Sequence, residues 1–473
     1  MNHLMRSSLT ALGIVLAGFT LGCPGGTTGK PATDASGQTI KTEDGKTLSK
    51  AAADKFGEGM RLLKQHDKAN DWNEASCKEV ADVFKDADKK QSDGTFYRAL
   101  YNAGVTYQRC RMNDDAKSIF SSLLGKRSDF HRARVQLALI QYEQDRNVEN
   151  AITEMKTAIK DAEFKNEEAL VHLAILQMAR NSTSGDEGCE NDLDCAKLNL
   201  QRALAINDGF MSAYNQLAVF YLESAKKKAG QGRGMRAAAG KKKKVDTQSL
   251  EMAALVVSQA LRKNPNYAPL HNTSGLISAE LGDLSTAARS FAVARKYNPK
   301  FFEAHMNYAA VNLSFRGFRQ AEEAYRAALR IRPSDFEANL GLALAVRGQI
   351  NDSNFDKNLK ESEALLAKAK QLQPGRAETY YNEAILVQEF KAREGGTKAE
   401  PALNKAKGLF SEFINKAGSN GAYAEAVKRA EERIKEIDQI IDFNRQTAAM
   451  AKQAPKARPK AAPAKPAPAP KKK

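Results

Sequence analysis

Small, large and proline positions recur in a fixed order through the middle of the chain. Three stretches carry the pattern in full: Ala253-Val257-Ala260-Pro265, Ala287-Phe291-Ala294-Pro299 and Ala321-Tyr325-Ala328-Pro333. The three prolines lie 34 residues apart, and a seven-residue insertion lengthens the next interval, to Pro374, to 41. Apolar residues at steps of three and four mark amphipathic helices, and each proline marks the end of one. Every unit therefore reads as two helices joined by a turn. Small residues at the eighth and twentieth positions let the two helices approach closely. A large residue at the twenty-fourth fills the space beside them, and the proline stops the second helix. One unit cannot bury its apolar face alone, so neighbours must stack.

Weaker copies extend the register both ways. Gly104, Tyr107, Ala116, Phe120 and Leu123 fit one unit; Ala151, Met155 and Ala158 fit the second helix of the next; Leu173, Ala174, Ala196, Leu200 and Ala203 fit another. Ala384, Ala406, Phe410 and Phe413 fit a last unit, and residues 52–92 a divergent first one. Residues 421–447 then read as one long helix that caps the stack.

This spacing, with its periodic prolines, resembles the tetratricopeptide repeat. Tyr214, His271, His305 and Asn339 hold the family's tryptophan position. The resemblance implies an all-α, right-handed superhelical α-solenoid of about nine helix pairs plus the capping helix. It also implies a concave groove lined by the fifth, ninth and twelfth residues of each unit. Those are Val171, Ile175, Met178; Asn215, Val219, Leu222; Asn272, Leu276, Ala279; Met306, Ala310, Leu313; and Leu340, Leu344, Arg347. So apolar a strip fits an amphipathic helix or extended peptide, with Asn215 and Asn272 holding its backbone amides. The competing reading covers the strip with the protein's own insertions or narrows it by curvature. The Lys/Arg set that clamps a C-terminal carboxylate in some relatives is missing from these positions.

The ends of the chain carry other signals. Residues 1–22 read as an export signal: Arg6 precedes an apolar run from Leu9 to Leu21, too short to span a bilayer. Gly22-Cys23 resembles a lipoprotein box, with Cys23 acylated, palmitate included, as the lipid anchor. The other reading is an ordinary secreted protein. Pro24 stands where an aspartate would signal inner-membrane retention, so the expected location is the outer membrane, facing the periplasm. Residues 23–50 read as a flexible tether and 448–473, almost wholly Ala, Lys and Pro, as a disordered tail flanking a solenoid over 51–447.

Charge sharpens this picture. The 473 residues carry 73 Lys/Arg against 56 Asp/Glu, a net charge of +17. The excess sits wholly in the tail and in a basic insertion at 225–246, which splits one unit between Ser224 and Thr247. A neutral body argues against nucleic-acid binding. Lys226, Lys227, Lys228, Lys241, Lys242, Lys243 and Lys244 form either a solvated loop or a docking arm for an anionic envelope polymer or headgroup. No strand precedes this glycine-rich stretch and no Gly-Lys-Ser/Thr closes it, so it is no phosphate loop.

With Cys23 assigned to lipid, four cysteines remain, and outside the cytoplasm they are expected to pair. Cys189 and Cys195 share one acidic insertion; Cys77 and Cys110 fall on consecutive helices. No metal site, cofactor motif or catalytic signature stands out, and an enzyme is not expected. The layout of lipidated start, repeats and Ala-Lys-Pro tail resembles tetratricopeptide lipoproteins of the myxobacterial gliding-motility machinery. That implies a scaffold binding envelope proteins. The rival readings are a scaffold for outer-membrane protein, pilus or polysaccharide assembly, or an electrostatic binder of peptidoglycan or lipopolysaccharide.

Overall fold

The computed structural model describes residues 32–34, 38–42, 44–69, 71–91, 94, 96–186, 188–231, 246–393 and 396–453. Residues 1–22, read above as an export signal, together with Cys23 and Lys241–Lys244, lie outside them. The described residues fall into two compact units, one ending at Asn298 and one beginning at Pro299.

The N-terminal unit holds twelve helices: α1 (Lys50–Ala69), α2 (Glu74–Lys90), α3 (Tyr97–Arg109), α4 (Asn113–Lys126), α5 (His131–Asp145), α6 (Val148–Asp161), α7 (Glu167–Arg180), α8 (Asp192–Ile206), α9 (Met211–Gln231), α10 (Thr247–Lys263), α11 (Ala268–Glu280) and α12 (Leu284–Tyr297). The C-terminal unit holds α13 (Phe302–Ser314), α14 (Phe318–Ile331), α15 (Phe336–Arg347), α16 (Phe355–Leu372), α17 (Ala377–Leu386), α18 (Glu400–Ala417) and α19 (Ala424–Gln453). A π-helical turn, Val387–Lys391, extends α17. Within each unit every helix packs on the next. Among the described residues the fold is thus all-α, with nine helix pairs and α19 packed on α18 as a cap.

The repeat positions act as their sizes require. Phe84, Phe120, Phe291, Tyr325 and Phe410 are wholly buried. Four of these rings press against glycines: Phe84 on Gly59, Phe120 on Gly104, Phe291 on Gly275 and Tyr325 on Gly341. Polar caps start the helices. Asn73, Asn147, Asn166, Asn191, Asp246, Asp283 and Asp335 each accept from a backbone N–H of the first turn. The substituted tryptophan position has a second duty. The side chains of His271, His305, Asn339 and Tyr380 donate to the carbonyls of Pro265, Pro299, Pro333 and Pro374, at 2.8, 2.8, 3.2 and 3.2 Å. Each ties the start of one helix to the turn before it.

Three expectations are corrected. The supposed tether at 23–50 is ordered over most of 32–48, where bridges join Thr33 to Thr39 and Lys41 to Thr47. Ala32, Ile40 and Leu48 pack on Ala52, Ala53, Ala87, Phe96 and Ala99, closing the open end of the first pair. Asp44-Gly45, with Gly45 at φ 74°, makes the turn, a hairpin signal legible in the alternating Thr39-Ile40-Lys41-Thr42. The basic insertion begins later than Ser224, because α9 runs on to Gln231 and carries Lys226, Lys227 and Lys228. Lys226 pairs with Glu223 at 2.9 Å, and Lys227 donates to Asn181 Oδ1 at 2.9 Å. Helix favourability from these alanines and lysines outweighs the basic repulsion. At the C-terminus, α19 extends to Gln453, so residues 448–453 are helix and not tail.

Two disulfides close in the N-terminal unit. Cys77–Cys110 joins α2 to the end of α3 with Cα atoms 6.3 Å apart, and Cys189–Cys195 closes the acidic insertion at 5.2 Å. The same insertion is pinned by Asp192, whose carboxylate accepts from Arg180 at 2.6 and 2.9 Å.

Candidate partner-binding face

In each unit the odd-numbered helices touch one another in succession, α3 through α11 in one and α13 through α17 in the other. They form the inner layer on which the fifteen named groove residues stand. None of the fifteen is freely exposed. Val171, Leu222, Leu340 and Asn272 are buried core residues, at 2%, 1%, 5% and 8% exposure. Ile175, Met178, Asn215, Val219, Leu276, Met306, Leu313 and Leu344 are half-buried. Ile175, Met178 and Leu276 pack against the N-terminal unit's core, and Met306 and Leu313 against the core around Tyr325. The expected open apolar strip is therefore mostly used up in packing between neighbouring repeats. Close approach at the small eighth position draws its neighbours at the fifth and ninth into the seam.

Asn215 is engaged as well: its Oδ1 accepts from Thr273 Oγ1 at 2.8 Å, tying α9 to α11. At the twelfth position of its unit, Arg347 donates from Nη1 to the carbonyl of Asn382 at 3.0 Å, and burial pushes its pKa down.

A row of polar side chains was not anticipated. Asn102, Gln136, His172, Gln216, Thr273, Asn307 and Asn382 each precede a small residue by two positions. The sequence held this signal as a polar sixth position, but read alone it looks like solvent-facing decoration. In the structure Gln136, His172, Thr273 and Asn307 are buried, at 2%, 9%, 2% and 5% exposure. Gln136 Nε2 donates to Glu168 Oε1 at 2.8 Å, linking α5 to α7. Burial in this layer pushes the Glu168 carboxyl up to about 7, while the Arg132 guanidinium and the Gln136 bond oppose the rise. Burial likewise pushes the His172 imidazole down to about 4. The Tyr101 hydroxyl, beside Gln136, is held well above the usual phenol range by burial and by the Glu168 charge. Chemically, this face offers hydrogen-bond acceptors and a carboxylate rather than a nucleophile paired with a base. Among the described residues no group of three or more His, Cys, Asp and Glu could hold a metal ion, and no helix is long and apolar enough to cross a membrane.

The family model of the tetratricopeptide repeat matches residues 313–377. No curated protein matches the chain. Among solved structures, the chain is similar to a thermophilic tetratricopeptide-repeat protein of Thermus thermophilus, 25% identical over 46% of this chain and 98% of that one, TM-score 0.36. It is also similar to a tetratricopeptide-repeat protein of Parabacteroides merdae, 14% identical over 64% and 98%, TM-score 0.36. A third is YrrB, described as a tetratricopeptide-repeat protein with an unusual peptide-binding site, 15% identical over 48% and 97%, TM-score 0.31.

Proposed function

We propose that this chain, which carries tetratricopeptide repeats, is an exported, lipid-anchored scaffold that binds envelope proteins along its odd-numbered helices. The observation that carries the reading is the layer itself. Successive first helices share one face, lined by half-buried apolar residues and a polar row, a surface suited to an extended segment or helix. Two closed disulfides support an oxidising compartment. Cys23, after an apolar export signal, supports acylation, and Pro24 supports the outer membrane, facing the periplasm. Within that compartment the layout favours an envelope-spanning machine of the gliding-motility kind. Assembly of outer-membrane proteins, pili or polysaccharide is the alternative machine.

An electrostatic envelope binder is the less favoured reading, because Lys226 and Lys227 spend their bonds inside the protein. Affinity capture from detergent-solubilised envelopes tests the scaffold, comparing wild type with Ile175→Glu and Leu344→Glu variants of unchanged helical content. Each substitution places a charge on the inner layer of one unit. Loss of a discrete set of envelope proteins supports the reading, and an unchanged set sinks it. Cys23→Ser tests the anchor: radiolabelled palmitate incorporation and membrane association should both vanish.

A further inference from the structure

Four glutamates occupy one repeat position. Glu168, Glu303, Glu337 and Glu378 are each the second residue of an odd-numbered helix, α7, α13, α15 and α17. Three of them have an arginine. Arg332 Nη2 sits 2.9 Å from Glu303, and Arg376 Nη2 sits 2.8 Å from both Glu337 and Glu378. Both arginines lie in the turn after the second helix of a pair: Arg332 is the C-cap of α14, and Arg376, three residues past the C-cap of α16, is the N-cap of α17.

Glu168 departs from this rule. The C-cap of α8, its own pair's second helix, is Asn207. Asn207 Nδ2 donates to Glu167 Oε1 at 3.3 Å, not to Glu168. Among the described residues Glu168 has one hydrogen-bond partner, the neutral amide of Gln136, and no basic group within ion-pair distance. Arg132 acts on it only through space.

Its surroundings want donors. Gln136 Oε1 and, one turn along α7, His172 Nδ1 are both buried without a hydrogen-bond partner among the described residues. A half-buried carboxylate without a counter-ion is costly. Elsewhere the same fold offsets that cost with an arginine from its own chain. At Glu168 its own chain supplies no such paired arginine.

We propose that Glu168 is the counter-ion for a lysine or arginine side chain of the bound partner, seated between α5 and α7. The inference rests on the reading of the odd-numbered helices as a protein-binding face and adds the charge that the partner must bring there. The raised pKa of Glu168 agrees with it, since an arriving cation would hold the carboxylate ionised.

A random dodecapeptide array probed with the full chain tests this, using wild type, E168Q and E168K. Glutamine keeps an acceptor for Gln136 Nε2, so E168Q should fold, which its thermal melt verifies. Wild type should enrich peptides sharing Lys or Arg at one register position. E168Q should keep the rest of that motif and lose the basic preference, binding the lysine peptides about tenfold more weakly. E168K should select Asp or Glu at the same position. A basic preference unchanged in both variants, or a wild-type motif with no fixed basic position, overturns the assignment of Glu168 and leaves the binding face standing. Failure of wild type to enrich any peptide overturns the binding face, and this inference with it.

Discussion

Gly275 and Gly57 are both interior glycines of helices in the N-terminal unit, yet changing each to alanine should shift stability in opposite directions. Alanine is favoured over glycine in a helix interior by about 1 kcal/mol. A Cβ on Gly57 meets nothing within 4 Å, so Gly57→Ala should realise that gain. A Cβ on Gly275 would lie 2.5, 2.7 and 2.8 Å from three ring carbons of Phe291. Ordinary contact needs about 3.5–4.0 Å, so the ring has to retreat by roughly 1 Å. Phe291 is wholly buried and has nowhere to go. Overpacking of this kind costs about 1–3 kcal/mol, and the severity of the overlap places it near the upper figure. The net expectation is destabilisation by about 2 kcal/mol, hence a gap of about 3 kcal/mol between two chemically identical substitutions. Urea unfolding followed by Trp72 fluorescence and by circular dichroism measures both. Trp72 is the sole tryptophan and belongs to the same unit. The clash also predicts non-additivity: Phe291→Leu should be less damaging beside Ala at 275 than beside glycine, by about 1 kcal/mol or more. Equal stabilisation by the two alanines, or strict additivity with Phe291→Leu, would refute the packing argument.

Reduction offers a second measurement. Cys77–Cys110 closes a loop of 33 residues in sequence, for which loop entropy predicts a loss of at most about 4 kcal/mol in a Cys77→Ser/Cys110→Ser variant, read as a lower unfolding midpoint. Arg316 adopts φ 59° in the turn between α13 and α14. Arg316→Gly should therefore stabilise the C-terminal unit by about 1 kcal/mol in thermal melts, relieving left-handed strain. Glu168 and His172 give opposite pH slopes. The raised Glu168 pKa favours folding below about 4.5 and loses that advantage as pH rises through about 7. The depressed His172 pKa favours folding above about 6.5 and loses it as pH falls through about 4. In wild type the two nearly cancel between pH 4 and 7. E168Q removes the Glu168 contribution, so the variant should gain stability relative to wild type by about 2–3 kcal/mol from pH 4.5 to 7 after allowing for partial screening; a flat difference profile counts against the assigned shift.

The helix pairs were legible because their cause is local. A small residue at one spacing and an aromatic at another can only be reconciled by two helices crossing closely, and Ala287, Phe291 and Pro299 state that spacing within a dozen residues. The caps at Asn73 and Asp283 are legible for the same reason. The bridged segment before α1 was equally visible in Asp44-Gly45 and its alternating neighbours, but low apolar content made it read as a tether. The helical fate of Lys226 and Lys227 was obscured because composition cannot weigh a continuing helix against charge repulsion.

The sequence alone determined the repeat, its period, its helix ends, its cysteine partners in outline and the segregation of positive charge to two segments. Each follows from spacing along one chain. Only the tertiary structure decided that Leu340 and Val171 are core while Leu344 and Ile175 stay half-exposed, since that difference arises from packing between neighbouring repeats. It also decided which glutamate lacks an arginine. Glu168 and Glu337 are alike in sequence position, and only the packing decides that the Arg376 guanidinium reaches Glu337 while Glu168 meets the amide of Gln136 instead.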